Sequence, residues 1–274
     1  MPSRRVRAPT PTGLRLGDPN ARIHIAPVGF EVERITRPIE EDRADRVYLL
    51  TRAERDAAAP FVEEVRRRLA AAPWPVDVRI VRTDLWNVFG ALASLRAIFE
   101  AEDRIVRTRV DQIPIRVNVS SGTKITAIAG TLASMLWKGE PYYVQVSQAW
   151  YSGRTPKVST VHDRVERVEP VNVYELRAPA RELVEVLEAL DRRGGSLRKR
   201  ELIRELGLDG PSPDGGRAGS PQAQHGRLRR RLDPLEHRWG FVRAESAGAR
   251  ARVQLTDQGR LALALFGQGK NSRK

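Results

Sequence analysis

The 274-residue chain contains no cysteine. That absence removes disulfides, thiolate metal sites and cysteine nucleophiles together. Its four histidines, His24, His162, His225 and His237, are scattered without metal-ligand spacing, so neither a metal nor a cofactor is expected. No run of 18 or more apolar residues occurs, and Met1 to Asn20 lacks the apolar segment of a signal peptide. The expectation is a soluble, cytoplasmic protein with no membrane partner. The phosphate-loop pattern GxxxxGK[ST] is missing, and no G-x-G-x-x-G follows any strand-like segment.

Acidic residues are also in short supply. Asp and Glu number 34 against 48 Lys and Arg, a formal net charge of +14, which points to a polyanionic partner. The excess is uneven: residues 177–274 carry 21 Lys/Arg against 12 Asp/Glu. With 41% hydrophobic residues there is material for a sizeable core and for two domains.

The chain is organised around Ile115 to Gly139. Ile115, Val117 and Val119 alternate with polar residues at strand period, and Ser120-Ser121-Gly122-Thr123-Lys124 forms a polar turn. Ile125, Ile128, Ala129, Leu132 and Leu136 then fall on one helical face, with Gly139 as the stop. Strand, glycine-bearing turn and helix is how open α/β sheets build a site at the carboxyl ends of their strands. Free N–H groups at the helix start, Ser and Thr hydroxyls and the Lys124 charge make an anion pocket. The plainer reading is that Thr123 or Ser121 caps the helix and Gly122 permits the turn. Two features speak for the pocket: Lys124 stands at the positive end of a helix dipole, and Asn118 interrupts an otherwise apolar strand.

Before this stretch, Arg22 to Ala26 reads as a first strand, followed by Pro27-Val28-Gly29-Phe30-Glu31 and a helix to about Arg43. Gly29 allows a backbone to approach a ligand at the same sheet end. Asp45 to Thr51 and Val76 to Thr83 read as strands, Pro60 to Ala72 and Leu85 to Glu100 as helices. Leu85, Val88, Phe89, Leu92, Leu95 and Phe99 are assigned to the core, Asp84 to the helix cap, and Thr83 and Asn87 to a third ligand-contacting loop. Tyr142 to Ser147 is a fifth strand, with one or two more in Val158 to Val173. The alternation implies a doubly wound, mostly parallel Rossmann-like sheet over residues 21–175, after a disordered basic tail at 1–20.

Residues 176–274 read differently. Pro179 to Arg193 is an amphipathic helix. Ser196 is taken to cap a second, Leu197 to Leu206. After a Pro/Gly-rich loop, Gln222 to Arg238 is a third. Phe241 to Glu245 and Arg252 to Thr256 form a hairpin, and Asp257 is taken to cap a last helix. Helix, helix, basic helix, hairpin, helix is a winged helix-turn-helix, an α+β domain that binds duplex DNA. Its third helix would present Gln222, Gln224, Arg227, Arg229, Arg230 and Arg231 to the major groove, and the wing would bring Arg250 and Arg252 to the backbone. The loop before that helix is long for such a motif.

The run Asn118-Val119-Ser120-Ser121-Gly122-Thr123-Lys124, with the opening His24-Ile25-Ala26-Pro27-Val28-Gly29-Phe30-Glu31 and the winged helix behind it, resembles the CRISPR-associated Rossmann fold (CARF) transcription regulators of archaea. That resemblance implies a homodimer binding cyclic oligoadenylate, commonly cyclic tetra-adenylate, across its two-fold axis. The loops after the first and fourth strands, here Pro27 to Glu31 and Ser120 to Lys124, would supply the pocket. An isologous dimer presents each loop twice, which suits a two-fold-symmetric ligand. Some CARF proteins cleave the ring through a Ser and the Lys of this turn, so Ser120, Ser121 and Lys124 keep a ring-nuclease alternative open. An RNA-binding CRISPR accessory role rests on net charge alone.

Overall fold

The computed structural model describes residues 16–52, 57–103, 113–150, 162–210, 220–245 and 251–267. Most of the basic tail, most of the loop before the third basic helix, and the wing turn with Arg250 lie outside the described residues. The chain divides into two compact units, Met1–Leu176 and Arg177–Lys274.

In the first unit, β1 (Ile23–Pro27), β2 (Arg46–Thr51), β3 (Asp77–Arg82), β4 (Arg116–Asn118), β5 (Glu140–Trp150) and β6 (His162–Pro170) form one sheet in the order β3-β2-β1-β4-β5-β6. The first five strands pair in parallel and β6 runs antiparallel to β5. The fold is a Rossmann-like, mostly parallel sheet. Helix α1 (Glu33–Asp42) packs with α2 (Ala59–Ala70), and α3 (Val88–Ala101) with α4 (Lys124–Trp137). Every residue of β1 and β2 is buried, as befits strands covered on both faces. Ile35 and Ile39 of α1 pack with Val47, Leu49, Phe61 and Val65. Each such side chain contributes about 1.5–3 kcal/mol by leaving water.

Two polar clusters have buried centres in this unit, Arg46 with Glu102 and His24. Arg46 and Glu102, both without exposed side-chain surface, pair at 2.7 Å, and Tyr48 donates to the same carboxylate. His24 is fully buried between Tyr142 (3.1 Å) and Asp42 (2.8 Å), and Arg116 also pairs with Asp42. Burial lowers the His24 pKa, so the ring is neutral. Burial raises that of the Tyr142 phenol, which keeps its proton. Tyr142 therefore donates to Nδ1, and the Nε2–H of His24 donates to the Asp42 carboxylate.

Several local expectations are corrected. Of the apolar stripe read along α4 only Ala129 is fully buried, with Gly130, Ala133 and Ser134 beside it; Ile125, Leu132 and Leu136 are half-buried and Ile128 is exposed. A Cβ on Gly130 would stand 3.0 Å from Val117, so the small face permits a close approach that Ile and Leu would block. Phe89 is likewise exposed rather than in the core. Asn87, not Asp84, caps α3, accepting from the N–H groups of Phe89 and Gly90.

The second unit contains α5 (Arg181–Arg192), β7 (Ser196–Arg198), α6 (Lys199–Glu205), α7 (Pro221–Asp233), a short π-helical turn (Pro234–Arg238), β8 (Val242–Ala244), β9 (Arg252–Leu255) and α8 (Asp257–Phe266). It is a winged helix domain with a three-stranded sheet, β7-β9-β8. Leu187, Leu190, Leu202, Leu228, Leu232 and Val253 share its core. Ser196 does not cap a helix. It pairs with Gln254 in the sheet, and the next helix begins at Lys199, with the Arg198 N–H bonded to Glu201. The third helix ends at Asp233, where Pro234 interrupts the α-helical ladder. Thr256 rather than Asp257 caps α8.

Among the described residues, no helix is long and apolar enough to cross a membrane. No group of three or more His, Asp or Glu among them is placed to hold a metal ion.

Candidate functional site

The strand order reverses between β1 and β4: from β1 the chain moves outward to β2 and β3, and from β4 to β5. Loops leave the carboxyl ends of these two strands side by side there, at the switch point where open α/β sheets bind ligands. The loops are Val28–Val32 and Val119–Thr123, the two that carry most of the predicted ligand contacts.

Asn118 organises the turn. Fully buried, it accepts from the backbone N–H of Ser120 (2.9 Å) and of Ser121 (3.2 Å) and from the Ser120 hydroxyl (2.7 Å). Its amide donates to the Arg34 carbonyl of α1 at 2.8 Å. A polar residue in an apolar strand is thus explained by four bonds that shape the loop after it. The Ser121 hydroxyl donates to the Pro27 carbonyl at 2.7 Å and ties the two loops together.

Both glycines have geometric reasons. Gly122 has φ +80, and a Cβ there would lie 2.6 Å from Pro27 Cβ and 2.8 Å from Thr126 Oγ1. A Cβ on Gly29 would lie 3.0 Å from the Gly122 nitrogen and 2.7 Å from a Glu31 carboxylate oxygen. The loops therefore meet backbone to backbone. Val28 is buried, with its N–H on Leu50, and the Phe30 ring packs edge-on against Phe61.

Thr123 caps α4, accepting from the Thr126 N–H at 3.1 Å, and its hydroxyl donates to the Leu85 carbonyl at 2.9 Å. The plainer reading of Thr123 as a cap thus holds, and the cap also draws the β3–α3 loop against the turn. Lys124 is exposed in the first turn of α4 and Ser120 is half-buried. The structure so brings together Pro27, Val28, Gly29, Phe30, Asn118, Ser120, Ser121, Gly122, Thr123 and Lys124. Thr83 and Asn87 belong to the adjoining loop, where Thr83 donates to the Gly90 carbonyl and Asn87 caps α3.

Two residues, Arg34 and Trp86, escaped sequence reasoning, and Glu31 entered it only as the end of the first pocket loop. Arg34 donates to the Ser120 carbonyl at 3.1 Å, and its buried Nε has no hydrogen-bond partner among the described residues. The Glu31 carboxylate accepts the Phe30 N–H at 3.1 Å and lies over Gly29, at the crevice. Trp86, 63% exposed, stands beside Leu85. Only Trp86 had a signal, as a large aromatic in a loop of polar residues.

In the winged helix, Gln222, Arg229 and Arg230 of α7 are exposed, and Gln224 and Arg227 half-buried. Arg231 turns inward to Glu185 (3.5 Å) and Glu182 (3.9 Å) of α5. Arg252 donates to the Ser196 hydroxyl at 3.0 Å and fastens β9 to β7. By register, exposed Arg198, Arg243 and Gln254 share the outward sheet face with Arg252.

Residues 22–149 match the family model described as HFX_2341_N-like, N-terminal. Residues 182–267 match the DUF6293 C-terminal winged helix domain. A curated relative, the uncharacterized protein MJ1513 of Methanocaldococcus jannaschii, is 29% identical over 130 residues, which cover 44% of this chain and 37% of that protein. Among solved structures, Can2 from Sulfobacillus thermosulfidooxidans in complex with cyclic tetra-adenylate is 15% identical (90% of this chain, 64% of that one, TM-score 0.37). Enterococcus italicus Csm6 bound to cyclic hexa-2'-fluoro-hexa-dAMP is 14% identical (80% and 56%, TM-score 0.40). The matched regions span less than two thirds of each of these proteins, and at such TM-scores the reading of the site rests on its own residues. Its two matched segments are thus similar to an HFX_2341_N-like N-terminal domain and to the DUF6293 C-terminal winged helix domain.

Proposed function

We propose that the chain is a ligand-responsive, DNA-binding transcription regulator of the CARF–winged-helix kind. A cyclic oligoadenylate, with cyclic tetra-adenylate the expected ring, binds the switch-point crevice of a homodimer and alters the hold of the winged helices on DNA. The observation that carries this reading is the meeting of Gly29 with Gly122 at the switch point, two residues before the exposed Lys124 that opens α4. Exposed Phe89 and Ile128, on two helices that pack together, offer apolar surface to a second copy. On the DNA side, Arg229 and Arg230 stand out from α7. The test is fluorescence anisotropy on DNA selected from a random pool, with and without cyclic tetra-adenylate. One palindromic sequence whose affinity changes with the ring supports the reading. Salt-steep binding without sequence preference, indifferent to the ring, refutes it.

Ring cleavage is a second reading, favoured by the Glu31 carboxylate at the crevice, a base that the sequence places in no obvious relation to Ser120 and Lys124. Linear product formed by the wild type and lost in Glu31→Gln would establish it. An intact ring removes it.

A further inference from the structure

We infer that Trp86, flanked by Arg52, is a stacking platform for one base of the nucleotide at the switch-point crevice. This rests on the reading of that crevice as a nucleotide site, and it supplies what the turn lacks, a surface that recognises the base rather than the phosphate.

The loop between β3 and α3 commits its polar side chains to itself. Thr83 donates to the Gly90 carbonyl at 3.2 Å, Asp84 accepts the Trp86 N–H at 3.0 Å, and Asn87 accepts from Phe89 and Gly90. What the loop presents outward is the indole, 63% exposed. An exposed tryptophan on a backbone fixed by its own hydrogen bonds is set in place before a ligand arrives. The Leu85 carbonyl lies 2.9 Å from the Thr123 hydroxyl, so Trp86 stands one peptide from the start of α4 and the Ser-Gly-Thr-Lys turn.

Arg52 follows the last residue of β2, with its guanidinium 5.9 Å from the Trp86 ring centroid. One side of the indole therefore has a cation near it, while most of the residue's surface stays open to solvent. Aromatic faces and guanidinium planes are the surfaces on which unpaired bases stack, in a manner tolerant of base identity. A phosphate at the turn and a base on Trp86 are the two ends of one nucleotide.

The test titrates full-length wild type, Trp86→Ala and Trp86→Phe with cyclic tetra-adenylate by calorimetry, with sedimentation run on each protein. The expected result is binding weakened about 10- to 100-fold in Trp86→Ala and largely restored in Trp86→Phe, with the oligomeric state unchanged. Binding by Trp86→Ala within twofold of wild type overturns the inference. So does a Trp86→Ala protein that becomes monomeric while the wild type is dimeric, because the indole then belongs to the subunit interface. If wild type itself does not bind the ring, the nucleotide reading of the crevice fails and the platform falls with it.

Discussion

Replacing Gly122 by alanine tests the geometry of the crevice most sharply. At φ +80 an L residue costs about 1–2 kcal/mol. The new Cβ would also stand 2.6 Å from Pro27 Cβ, at the end of a fully buried strand, and 2.8 Å from Thr126 Oγ1, which itself bonds the Thr123 N–H at 2.9 Å. Neither neighbour can withdraw without disturbing β1 or the cap of α4, so overpacking adds about 1–3 kcal/mol. The sum, about 2–5 kcal/mol, lowers Tm by roughly 4–20 °C at the 2–4 °C per kcal/mol usual for a unit of this size. Scanning calorimetry of the full chain measures it. Gly122→Asn separates the two causes, since asparagine tolerates positive φ but keeps the Cβ. It should regain most of the roughly 1–2 kcal/mol due to φ and keep the roughly 1–3 kcal/mol due to overpacking. A Gly122→Ala protein melting within about 1 °C of wild type would refute the claim that the two loops meet backbone to backbone.

Other outcomes follow from the same contacts. Acid should destabilise the protein in two stages, read by urea midpoints. Folded His24 sits below 6.5 through burial, so as pH falls past 6.5 the unfolded chain takes up a proton that the folded chain refuses. The Asp42 carboxyl is held down to about 2, first by its hydrogen bond to His24 and then by Arg116, so its contribution is present above 3.8 and lost as pH falls through about 2. Partly exposed and screened, it amounts to about 1 kcal/mol; stability that rises from pH 7.5 to 5 would contradict this assignment. Arg229→Ala and Arg230→Ala should each weaken DNA binding and flatten its salt slope by about 0.9 per lost phosphate contact, whereas Arg231→Ala should lower stability, since Arg231 pairs with α5. Glu31→Gln removes a like charge from the crevice and should tighten binding of cyclic tetra-adenylate by about tenfold, or 1.4 kcal/mol. Unchanged or weaker calorimetric binding would place the carboxylate away from the phosphates.

Much of the fold is legible in the sequence because periodicity follows burial. The β1 and β2 segments are apolar enough to be read at once, and the breaks at Gly194-Gly195 and in the Pro/Gly-rich loop separate the helices of the second unit. The failures have definite causes. In α4 the widest apolar stripe is not the most buried one, because a helix resting closely on valines needs glycine and alanine at the contact. Ser196 reads as a cap because a three-residue strand is too short to show a period. In the site, Asn118 to Lys124 is visible as a motif, but the reason for Asn118 is not, since its partners include the Arg34 carbonyl 84 residues away. Arg34 leaves no trace because helix starts commonly carry charges, and only the fold brings it against the turn. The basic third helix likewise shows five or six candidates at once, and only packing separates inward Arg231 from outward Arg229 and Arg230.

The central claim is that the switch-point crevice binds a phosphate-bearing ring with Lys124 at its mouth. Calorimetric titration of the full chain with cyclic tetra-adenylate, repeated on Lys124→Ala, tests it most directly. The expected result is one ring per two chains, with affinity at least tenfold weaker in Lys124→Ala, the loss of a charge-assisted contact of about 1.5–3 kcal/mol from each chain. No heat with wild type, or equal affinity in the two proteins, would contradict it.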